Sequence, residues 1–534
     1  MKRLVIIILI AFSYTITAQE DRFYIRTVSN AIEIPVQTQD SVVTYTGDEL
    51  RLKTLFEKHD VKIFRKGFKY ATRDKLKRTF FAIAATPAFQ QELKMIAPDI
   101  FEFSESITAQ KLQIYEPNDY GVTSTTGQNL GSSLLFDYYD FMGVPQAWYY
   151  TTGSPDVHIG ISDGYVDPED PEFAGKLTMV KKSSLSGGHG FTIAAIAAAQ
   201  GDNAYAGAGV CYDCSIKTTT YGDFKEFNQL LELARSGVKV INCSWGSRTY
   251  YETAQEAINE MRDLGTIIVS VPHNAPYSKT NGTQLRYPGA YEHVLSVGSV
   301  QHKYDTIEDG LNIEEKNGKY YAEKQQYHLS RTGGFANNDP KDTYRLYLSS
   351  TNNLDATVDI VAPGNDIFQY YKFQKNGEIA YNPYQATSPA APLVTGTIGL
   401  MLSVNNDLSV DEMSSIIKLS ATNIDHITAN EPLRGLYGAG SLHTGRAVNM
   451  THEMLQPDSY TLLENQNFTR WNFSLRAPYK VLIRNEQFRE AARVGFTAKE
   501  EILIDTETVF LPDANGSILL TIDPEATYNL QKNN

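Results

Sequence analysis

Basic residues and cysteines are scarce in this chain of 534 residues, and long apolar runs are absent. Acidic side chains outnumber basic ones by 62 to 48, giving a formal net charge of −14, which argues against nucleic acid as a partner. No segment beyond the first residues is apolar enough for a membrane-spanning helix, which needs about 20 residues. The hydrophobic content of 42% is ordinary, so the chain can build a packed core and is not expected to be disordered.

The three cysteines, Cys211, Cys214 and Cys243, leave several roles open. Cys211 and Cys214 can pair within one loop if the chain is exported to an oxidising compartment. Two free thiols, a redox pair and a zinc site are the alternatives, although zinc needs further ligands and there is no second cysteine pair. Cys243 lies in an apolar run and is expected to be a buried thiol.

The first residues have the features of an export signal. Lys2 and Arg3 precede the short apolar run from Leu4 to Phe12, and a polar stretch then leads to Ala18. A buried N-terminal strand is the alternative. We therefore expect residues 1–18 to be a signal peptide and the protein to be secreted or periplasmic.

Residues 19 to about 111 differ in charge from the remainder of the chain. They contain 15 Lys and Arg against 13 Asp and Glu, whereas the whole chain has a net charge of −14. A basic cluster runs from Lys62 to Arg78. A solvent-exposed face of the segment would also explain this cluster. The contrast predicts a separable segment that docks on an acidic body by charge complementarity.

From about 157 to 445 short β-branched runs alternate with apolar helical stretches. Three runs are predicted as strands, namely Val157 to Ile161, Val238 to Ile241 and Thr266 to Val269. Three further stretches are predicted as helices, namely Phe191 to Ala199, Glu252 to Leu264 and Pro392 to Asn405. Strands separated by helices predict an α/β fold with a doubly wound parallel sheet.

The remaining segments have other patterns. Ser409 is expected to begin a helix with Glu412 in a capping box. Residues 301–348 are polar and predict a long loop that is functional or mobile. Beyond about 451, alternating runs such as Glu501 to Asp505 and Ser517 to Ile522 predict a small β-rich module, and no internal repeat is evident.

Three polar residues stand where predicted strands end or helices begin. Asp163 ends a strand, at the edge where sites assemble in doubly wound sheets. His189 opens one buried helix, and Ser388 is expected near the N-cap of another, with Pro389 at its first helical position. Each alone is explained as a turn, packing or capping residue. Together, in the order Asp, His, Ser on a parallel α/β pattern, they match one known arrangement of a nucleophilic triad.

A fourth polar residue, Asn274, follows the predicted strand that ends at Val269. A side-chain amide at this place can donate a hydrogen bond to the oxyanion of a tetrahedral intermediate. The backbone N–H of Ser388, at a helix N-terminus, is a second candidate donor. A polar turn residue is the alternative for Asn274.

Six segments, in this order, resemble those of the subtilisin-like serine proteases, the subtilases, over roughly residues 115 to 450. They are Val157 to Gly164 for the strand with the catalytic Asp, His189-Gly190 and the Ala-rich helix for HGTHVAG, Val240 to Gly246 for the substrate strand, Asn274, Val358 to Gly364 for DVxAPG, and Thr387 to Gly396 for GTSMAxPxxxG. The resemblance implies that Asp163, His189 and Ser388 are catalytic. It also implies that Asn274 binds the oxyanion and that substrate pairs with Ser244-Trp245-Gly246.

Several positions depart from the pattern of that family. Those beside the implied triad are Phe191, Thr192, Ala386 and Pro389. His273 stands where a small residue usually precedes the oxyanion Asn, and Trp245 is also larger than usual. We expect His273 to narrow or polarise the primary specificity pocket and Trp245 to crowd a more remote subsite. The alternative is that both rings pack against neighbouring helices.

The resemblance also implies a division of the chain into a signal peptide (1–18), a small α+β prosegment (19–115), a subtilisin-like peptidase domain (116–450) and a C-terminal β-rich module (451–534). The prosegment of such proteins assists folding and blocks the cleft, so it would be an intramolecular inhibitor. The implied function is a secreted endopeptidase that acts on polypeptides and needs no cofactor for its chemistry, with structural calcium whose ligands cannot be assigned.

Two other functions are compatible with the same residues. A catalytically silent binding protein with this fold would explain the departures around His189 and Ser388. A peptidyl transferase or ligase would use the same triad. A non-peptide esterase is less compatible, because the GxSxG nucleophile elbow is absent around Ser388.

Overall fold

A computed structural model describes the chain from residue 21 to residue 530, with gaps at 40–41, 69–70, 72, 87, 108–112, 125–133, 186–187, 223–224, 226, 276–279, 303–312, 323–326, 328, 330–331, 340–345, 349–352 and 373–378. The chain forms two compact units, residues 1–113 and 114–534. The predicted signal peptide lies outside the described residues. None of the helices in the described ranges is both long and apolar enough to cross a membrane.

The N-terminal unit has an α+β fold with its own apolar core. Its strands are β1 (Asp21–Thr27), β2 (Val36–Gln39), β3 (Val42–Tyr45), β4 (Val61–Lys66), β5 (Thr79–Ala84) and β6 (Phe101–Ser106), and its helices are α1 (Leu50–Lys58), α2 (Asp74–Lys77) and α3 (Ala88–Ile96). An antiparallel sheet has the order β4-β5-β1-β6, and β2 and β3 form a separate hairpin. Phe23 of β1 packs with Phe56 of α1 and Phe89 of α3. This is the small α+β fold that the sequence predicts for the region.

The second unit contains the elements of the predicted α/β fold. Its strands up to residue 450 are β7 (His158–Ser162), β8 (Leu177–Met179), β9 (Ser215–Thr219), β10 (Val240–Cys243), β11 (Ile267–Ser270), β12 (Val294–Val300), β13 (Ile313–Lys316), β14 (Lys319–Ala322), β15 (Thr332–Phe335), β16 (Leu346–Leu348), β17 (Ile360–Pro363), β18 (Ile367–Lys372) and β19 (Ile379–Tyr384). Its helices are α4 (Asp137–Met142), α5 (Val144–Tyr150), α6 (His189–Ala198), α7 (Asn228–Arg235), α8 (Glu252–Asp263), α9 (Ala390–Val404), α10 (Val410–Leu419) and α11 (Thr444–Glu453).

Seven strands form one sheet in the order β17-β12-β11-β10-β7-β9-β8, and all of its strand pairs are parallel. Successive residues of a strand face opposite sides of a sheet. On β10, Val240 belongs to the core that contains α6 and α9, whereas Ile241 belongs to the core that contains α7 and α8. Helices therefore cover both faces, and the predicted doubly wound parallel sheet is confirmed.

Helix boundaries agree with the sequence to within a few residues. Ser409 and Glu412 form the predicted capping box, with Glu412 N donating to Ser409 Oγ at 3.2 Å and Ser409 N donating to Glu412 Oε2 at 3.0 Å. Helix α9 begins at Ala390 with Pro389 as its N-cap. Ser388 therefore lies one residue before the cap, and Pro389 is not at the first helical position as predicted.

The segment predicted as a long polar loop, 301–348, contains regular structure in its described parts. Strand β13 pairs with β14, and β15 pairs with β16, as antiparallel hairpins. A further hairpin, β18-β19, lies between the turn at Gly364 and Ser388. The polar composition thus belongs partly to hairpins, whose alternation is too short to distinguish from loop in the sequence.

Beyond residue 451 the chain forms three successive coils that stack in parallel. Their strands are β20 (Tyr460–Glu464), β21 (Asn467–Phe468), β22 (Asn472–Leu475), β23 (Lys480–Arg484), β24 (Gln487–Glu490), β25 (Arg493–Ala498), β26 (Glu501–Ile504), β27 (Val509–Pro512) and β28 (Ser517–Ile522). Each strand pairs with the strand three places later, which gives sheets β20-β23-β26, β21-β24-β27 and β22-β25-β28. The register aligns Leu462 with Leu482 and Leu482 with Leu503. The β-rich module is confirmed, but the expectation of no internal repeat is wrong.

Each cysteine has one of its predicted roles, either in a disulfide or as a buried thiol. Cys211 and Cys214 are joined by a disulfide, and both are buried. Cys243, at the end of β10, is free and buried. Burial raises the pKa of the Cys243 thiol, so this thiol is not a reactive group at neutral pH.

Candidate active site

Asp163 and His189 are joined by a direct hydrogen bond. Asp163 follows β7 with 1% of its surface exposed, and His189 is the first residue of α6. His189 Nδ1 lies 2.8 Å from Asp163 Oδ1 and 2.9 Å from Oδ2. A carboxylate only accepts hydrogen bonds, so Nδ1 is the donor and Nε2 of neutral His189 is left to accept a proton.

Two glycines bring the elements that hold this pair into contact. A Cβ on Gly190 would lie 2.2 Å from the carbonyl oxygen of Gly164, so any other residue at 190 would push α6 away from the turn after β7. Gly164 N also donates to Asp163 Oδ1 at 2.6 Å. The carboxylate is thus oriented by the backbone on one side and by the imidazole on the other.

The electrostatics of His189 follow from its partner. Burial lowers the pKa of His189, but the hydrogen bond to Asp163 and the charge of that carboxylate raise it more, so the pKa lies above its ordinary value. The imidazole side chain is 35% exposed. It is therefore reachable by a substrate while its Nδ1 side is covered.

Ser388 is held by a buried hydrogen-bond network that crosses from β10 to α9. Ser388 is 5% exposed, and its carbonyl accepts from Ser244 Oγ at 2.9 Å. Ser244 Oγ accepts in turn from Asn242 Nδ2 at 2.9 Å, and Asn242 Oδ1 accepts from Thr395 Oγ1 at 3.1 Å. The network ties the predicted substrate strand to the segment that carries Ser388.

Tyr384 contacts both His189 and Ser388, and the sequence analysis did not single it out. Its ring centroid lies 6.4 Å from that of His189, with the two planes at 88°. Its side chain is hydrogen-bonded to Ser388, and burial raises the pKa of the phenol. His189 and Ser388, far apart in sequence, therefore share this neighbour, whose only sequence signal was its position four residues before Ser388.

Asn274 lies beside the residue that precedes Ser388. Its Oδ1 accepts from Thr387 N at 2.8 Å and from Thr387 Oγ1 at 2.9 Å. Asn274 is exposed. Both hydrogen bonds use the amide oxygen, so the amide NH₂ group is left to donate to another molecule.

His273 adopts a left-handed backbone conformation with φ of 85°. Its carbonyl accepts from Asn353 N at 3.1 Å. Its ring is half-buried, and Nδ1 has no hydrogen-bond partner in the ranges that the structure describes. The peptide that leads to Asn274 is thus turned by a conformation that a non-glycine residue adopts rarely.

The indole of Trp245 packs inwards. It is 3% exposed, and its Nε1 donates to the carbonyl of Ser162 at 2.7 Å. Its ring packs against Tyr221 and Phe227. The expectation that this ring crowds a subsite is not met by its placement, and the alternative of core packing describes it.

The turn at Val358 to Gly364 supports the segment before Ser388. A Cβ on Gly364 would lie 2.6 Å from the carbonyl oxygen of Ala386, and Ala386 N donates to the Gly364 carbonyl at 2.9 Å. The glycine of this motif is thus required by close backbone approach.

No metal-binding cluster is evident in the part of the chain that the structure describes. In these ranges no group of three or more His, Cys, Asp and Glu side chains is placed to hold a metal ion.

The family model of the Subtilase family matches residues 154–440, which is more than half of the chain. The chain belongs to the subtilase family. The match contains Asp163, His189, Asn274 and Ser388, whereas the N-terminal unit and the C-terminal coils lie outside it.

Two curated relatives show the extent of the likeness to other subtilases. An extracellular serine protease of Serratia marcescens is 26% identical over 347 residues, which cover 54% of this chain and 32% of that protein. Thermitase of Thermoactinomyces vulgaris is 26% identical over 279 residues, which cover 50% of this chain and 81% of that protein. The matched part therefore spans about a third of the Serratia protein's length.

Among solved structures, fervidolysin from Fervidobacterium pennivorans is 16% identical to this subtilase, with a TM-score of 0.44, and the likeness covers 81% of this chain and 61% of that one.

We predict that Ser244→Ala lowers kcat against a peptide substrate by about tenfold or more, with little change in KM, because displacement of a reacting group by about 1 Å costs up to ~10²-fold in rate. The change removes the hydroxyl that holds the Ser388 carbonyl. It also leaves two buried polar groups unpaired, so we expect the free energy of unfolding to fall by about 1–3 kcal/mol.

The matched control is Ser247→Ala, because the Ser247 hydroxyl bonds only to the carbonyl of Thr249, at 3.4 Å. Steady-state kinetics and chemical denaturation of both variants measure the two effects. Equal kcat values for Ser244→Ala and Ser247→Ala would contradict a positioning role for Ser244.

Proposed function

We propose that this subtilase is a secreted serine endopeptidase that hydrolyses peptide bonds through an acyl-enzyme on Ser388. The observation that carries the proposal is the hydrogen bond from His189 Nδ1 to a buried carboxylate, Asp163, in a chain of this family. That bond selects the tautomer in which Nε2 can take a proton from a serine hydroxyl. The proximity of Tyr384 to both His189 and Ser388 supports their working as one group.

The proposed reaction has two halves. Ser388 Oγ attacks the scissile carbonyl carbon while its proton passes to His189 Nε2, and Asp163 stabilises the imidazolium that forms. His189 then returns the proton to the leaving amine as the C–N bond breaks, which leaves an ester on Ser388. A water molecule, deprotonated by His189, hydrolyses this ester and restores the free hydroxyl.

Two donors are proposed for the oxyanion of each tetrahedral intermediate. They are the amide NH₂ of Asn274, whose oxygen is occupied by Thr387, and the backbone N–H of Ser388. Substrate is proposed to lie extended along Ser244 to Gly246 and to pair with the backbone there. Because Trp245 is buried, this segment would contribute main-chain groups rather than a side-chain wall.

The alternative function is that of a silent binding protein with the same fold. It predicts that Ser388 is not nucleophilic, so a serine-reactive fluorophosphonate would leave the protein unlabelled. The ordered pair of Asp163 and His189 has no evident use in a scaffold, since a half-exposed imidazole fixed on a buried carboxylate contributes little to packing.

Single changes at the triad test the proposal. We predict that Ser388→Ala, His189→Ala and Asp163→Ala each lower kcat by at least about 10³-fold, and that a double change costs little more than the worse single one, because triad members act as a unit. The control is His158→Ala, which changes a histidine at the opposite end of β7. Peptide hydrolysis and fluorophosphonate labelling measure the outcome. Full activity of Ser388→Ala would contradict the assignment of Ser388 as the nucleophile.

The pH dependence of the wild-type enzyme tests the role of His189. His189 must be neutral to accept a proton, and its pKa is raised above the ordinary 6.5, so kcat/KM of the wild type should fall as pH decreases through a value above 6.5.

We also propose that residues 19–115 are a removable prosegment that inhibits the enzyme. The charge contrast and the separate apolar core of the N-terminal unit support this. Its basic cluster is only partly available for docking, because Arg78 is buried with Asp74 and Glu102 as partners. Lys75 and Lys77 are exposed and are the candidates for contact with an acidic surface.

We predict that this segment is absent from mature enzyme and that the separate segment, added in trans, inhibits it. Inhibition that depends on charge weakens as salt rises, since the Debye length falls from about 10 Å at 0.1 M to about 3 Å at 1 M. Lys75→Glu with Lys77→Glu should raise the inhibition constant, and Lys94→Glu is the control on a different helix. Mass spectrometry of active enzyme with the segment still attached would refute the proposal.

A further inference from the structure

Arg286 is a buried cation that has no carboxylate partner among the described residues. It is 3% exposed, and within those ranges it donates hydrogen bonds only to the Leu285 carbonyl, at 3.1 Å, and to Gln284 Oε1, at 3.2 Å. No Asp or Glu in the described ranges lies within ion-pair distance of its guanidinium. Arginine remains charged in proteins and offers five N–H donors, so much of its bonding capacity is unused. A buried charge without a counter-ion is costly to the fold, and such a group is a candidate for binding a ligand of opposite charge.

The segment that carries Arg286 is bound to the substrate strand. A Cβ on Gly246 would lie 3.7 Å from Arg286 Cβ. Immediately beside this point, Ser247 N donates to the Tyr287 carbonyl at 2.8 Å, and Tyr287 N donates to the Ser247 carbonyl at 2.9 Å. Arg286 therefore lies directly against the backbone on which substrate is proposed to pair.

The same segment is bound to the backbone that leads to Asn274. Asn353 Nδ2 donates to the Pro272 carbonyl at 2.9 Å and to the Gln284 carbonyl at 2.8 Å. Asn353 N donates to the His273 carbonyl. Strands β10 and β11 are neighbours in the sheet. Residues 284–287 are hydrogen-bonded to the segment that follows β10 and, through Asn353, to the segment that follows β11.

The charges around this place are positive. Burial lowers the pKa of His273, and the charges of Arg286 and Arg248 lower it further. Burial lowers the pKa of Arg286 as well, and Arg248 again adds to the effect. Arg248 itself is exposed at the rim. Arg286 and Arg248 thus both contribute positive charge at this place, in a chain whose net charge is −14.

The one nearby carboxylate does not neutralise Arg286. Asp355 raises the pKa of Arg286 by its charge, but it lies beyond ion-pair distance. Its oxygens are taken by Thr357 N at 2.8 Å, Thr357 Oγ1 at 2.5 Å and Asn353 Nδ2 at 3.3 Å. Burial also raises the pKa of Asp355, which disfavours its charged form.

We propose that Arg286, with His273 beside it, forms a subsite for an acidic side chain, so that this subtilase cleaves preferentially after Asp or Glu. A substrate carboxylate would supply the missing counter-ion and accept from the unused N–H groups of Arg286. An uncharged side chain would leave the cation unpaired, and a basic one would be repelled by it, so discrimination has both an attractive and a repulsive part. This inference rests on the proposed peptidase function.

The test uses four fluorogenic peptides that differ only in the residue before the scissile bond, namely Glu, Gln, Leu and Lys. Glu and Gln have the same shape, so their ratio of kcat/KM isolates charge. We expect wild type to prefer Glu to Gln by about tenfold or more, with Lys the poorest substrate. Arg286→Gln should reduce the Glu-to-Gln ratio to near one while cleavage after Leu persists.

Three further variants keep the test decisive. Arg286→Lys retains the charge without the planar fork and should give an intermediate ratio, which covers the case in which Arg286→Gln does not fold. Arg248→Gln should reduce the ratio only slightly, because that side chain is at the rim. Arg235→Gln, an exposed arginine paired with Glu260 on a different helix, should leave the ratio unchanged.

A wild type that cleaves peptides without favouring Glu over Gln would overturn this proposal and leave the peptidase function intact. An unchanged ratio in folded Arg286→Gln or Arg286→Lys would also overturn it. Absence of cleavage of all four peptides, together with absence of fluorophosphonate labelling of Ser388, would instead overturn the proposed function on which it rests.

Discussion

The packing of Gly190 against Gly164 is the constraint on which the candidate active site depends. A side chain at 190 would meet the Gly164 carbonyl and separate α6 from the turn after β7. Asp163 and His189 are the immediate neighbours of these glycines, so their hydrogen bond is placed by backbone contact and not by adaptable side chains. A pair positioned in this way needs little reorganisation when charge develops on the imidazole.

The parallel sheet brings the other groups to the same edge. Strands β7, β10 and β11 are adjacent, so the residues after them converge although they are far apart in sequence. Side-chain hydrogen bonds then join these segments across the edge, from Ser244 to the Ser388 carbonyl and from Asn353 to the backbone beside Asn274. The strand that is proposed to bind substrate and the serine proposed to attack it are thus parts of one hydrogen-bonded network.

The sequence was a reliable guide where burial decides local structure, as in the β-branched run from Val238 to Ile241. It was less reliable where a local choice is nearly balanced, since Pro389 suits the N-cap as well as the first helical position. It could not predict features that depend on residues far away in the sequence. The inward position of Trp245 depends on the carbonyl of Ser162, which is 83 residues away. The unpaired state of Arg286 likewise depends on contacts that no local pattern contains.

The C-terminal coils were missed as a repeat because most aligned positions share little beyond an apolar side chain, as at Phe473, Val494 and Ile518. Each coil contacts chiefly the coils next to it, so stability is nearly a sum over coils and their interfaces. The length of such a stack is free to change by whole coils during evolution. A coil gained or lost would leave the register of the others intact, and the peptidase fold would not need to adjust to it.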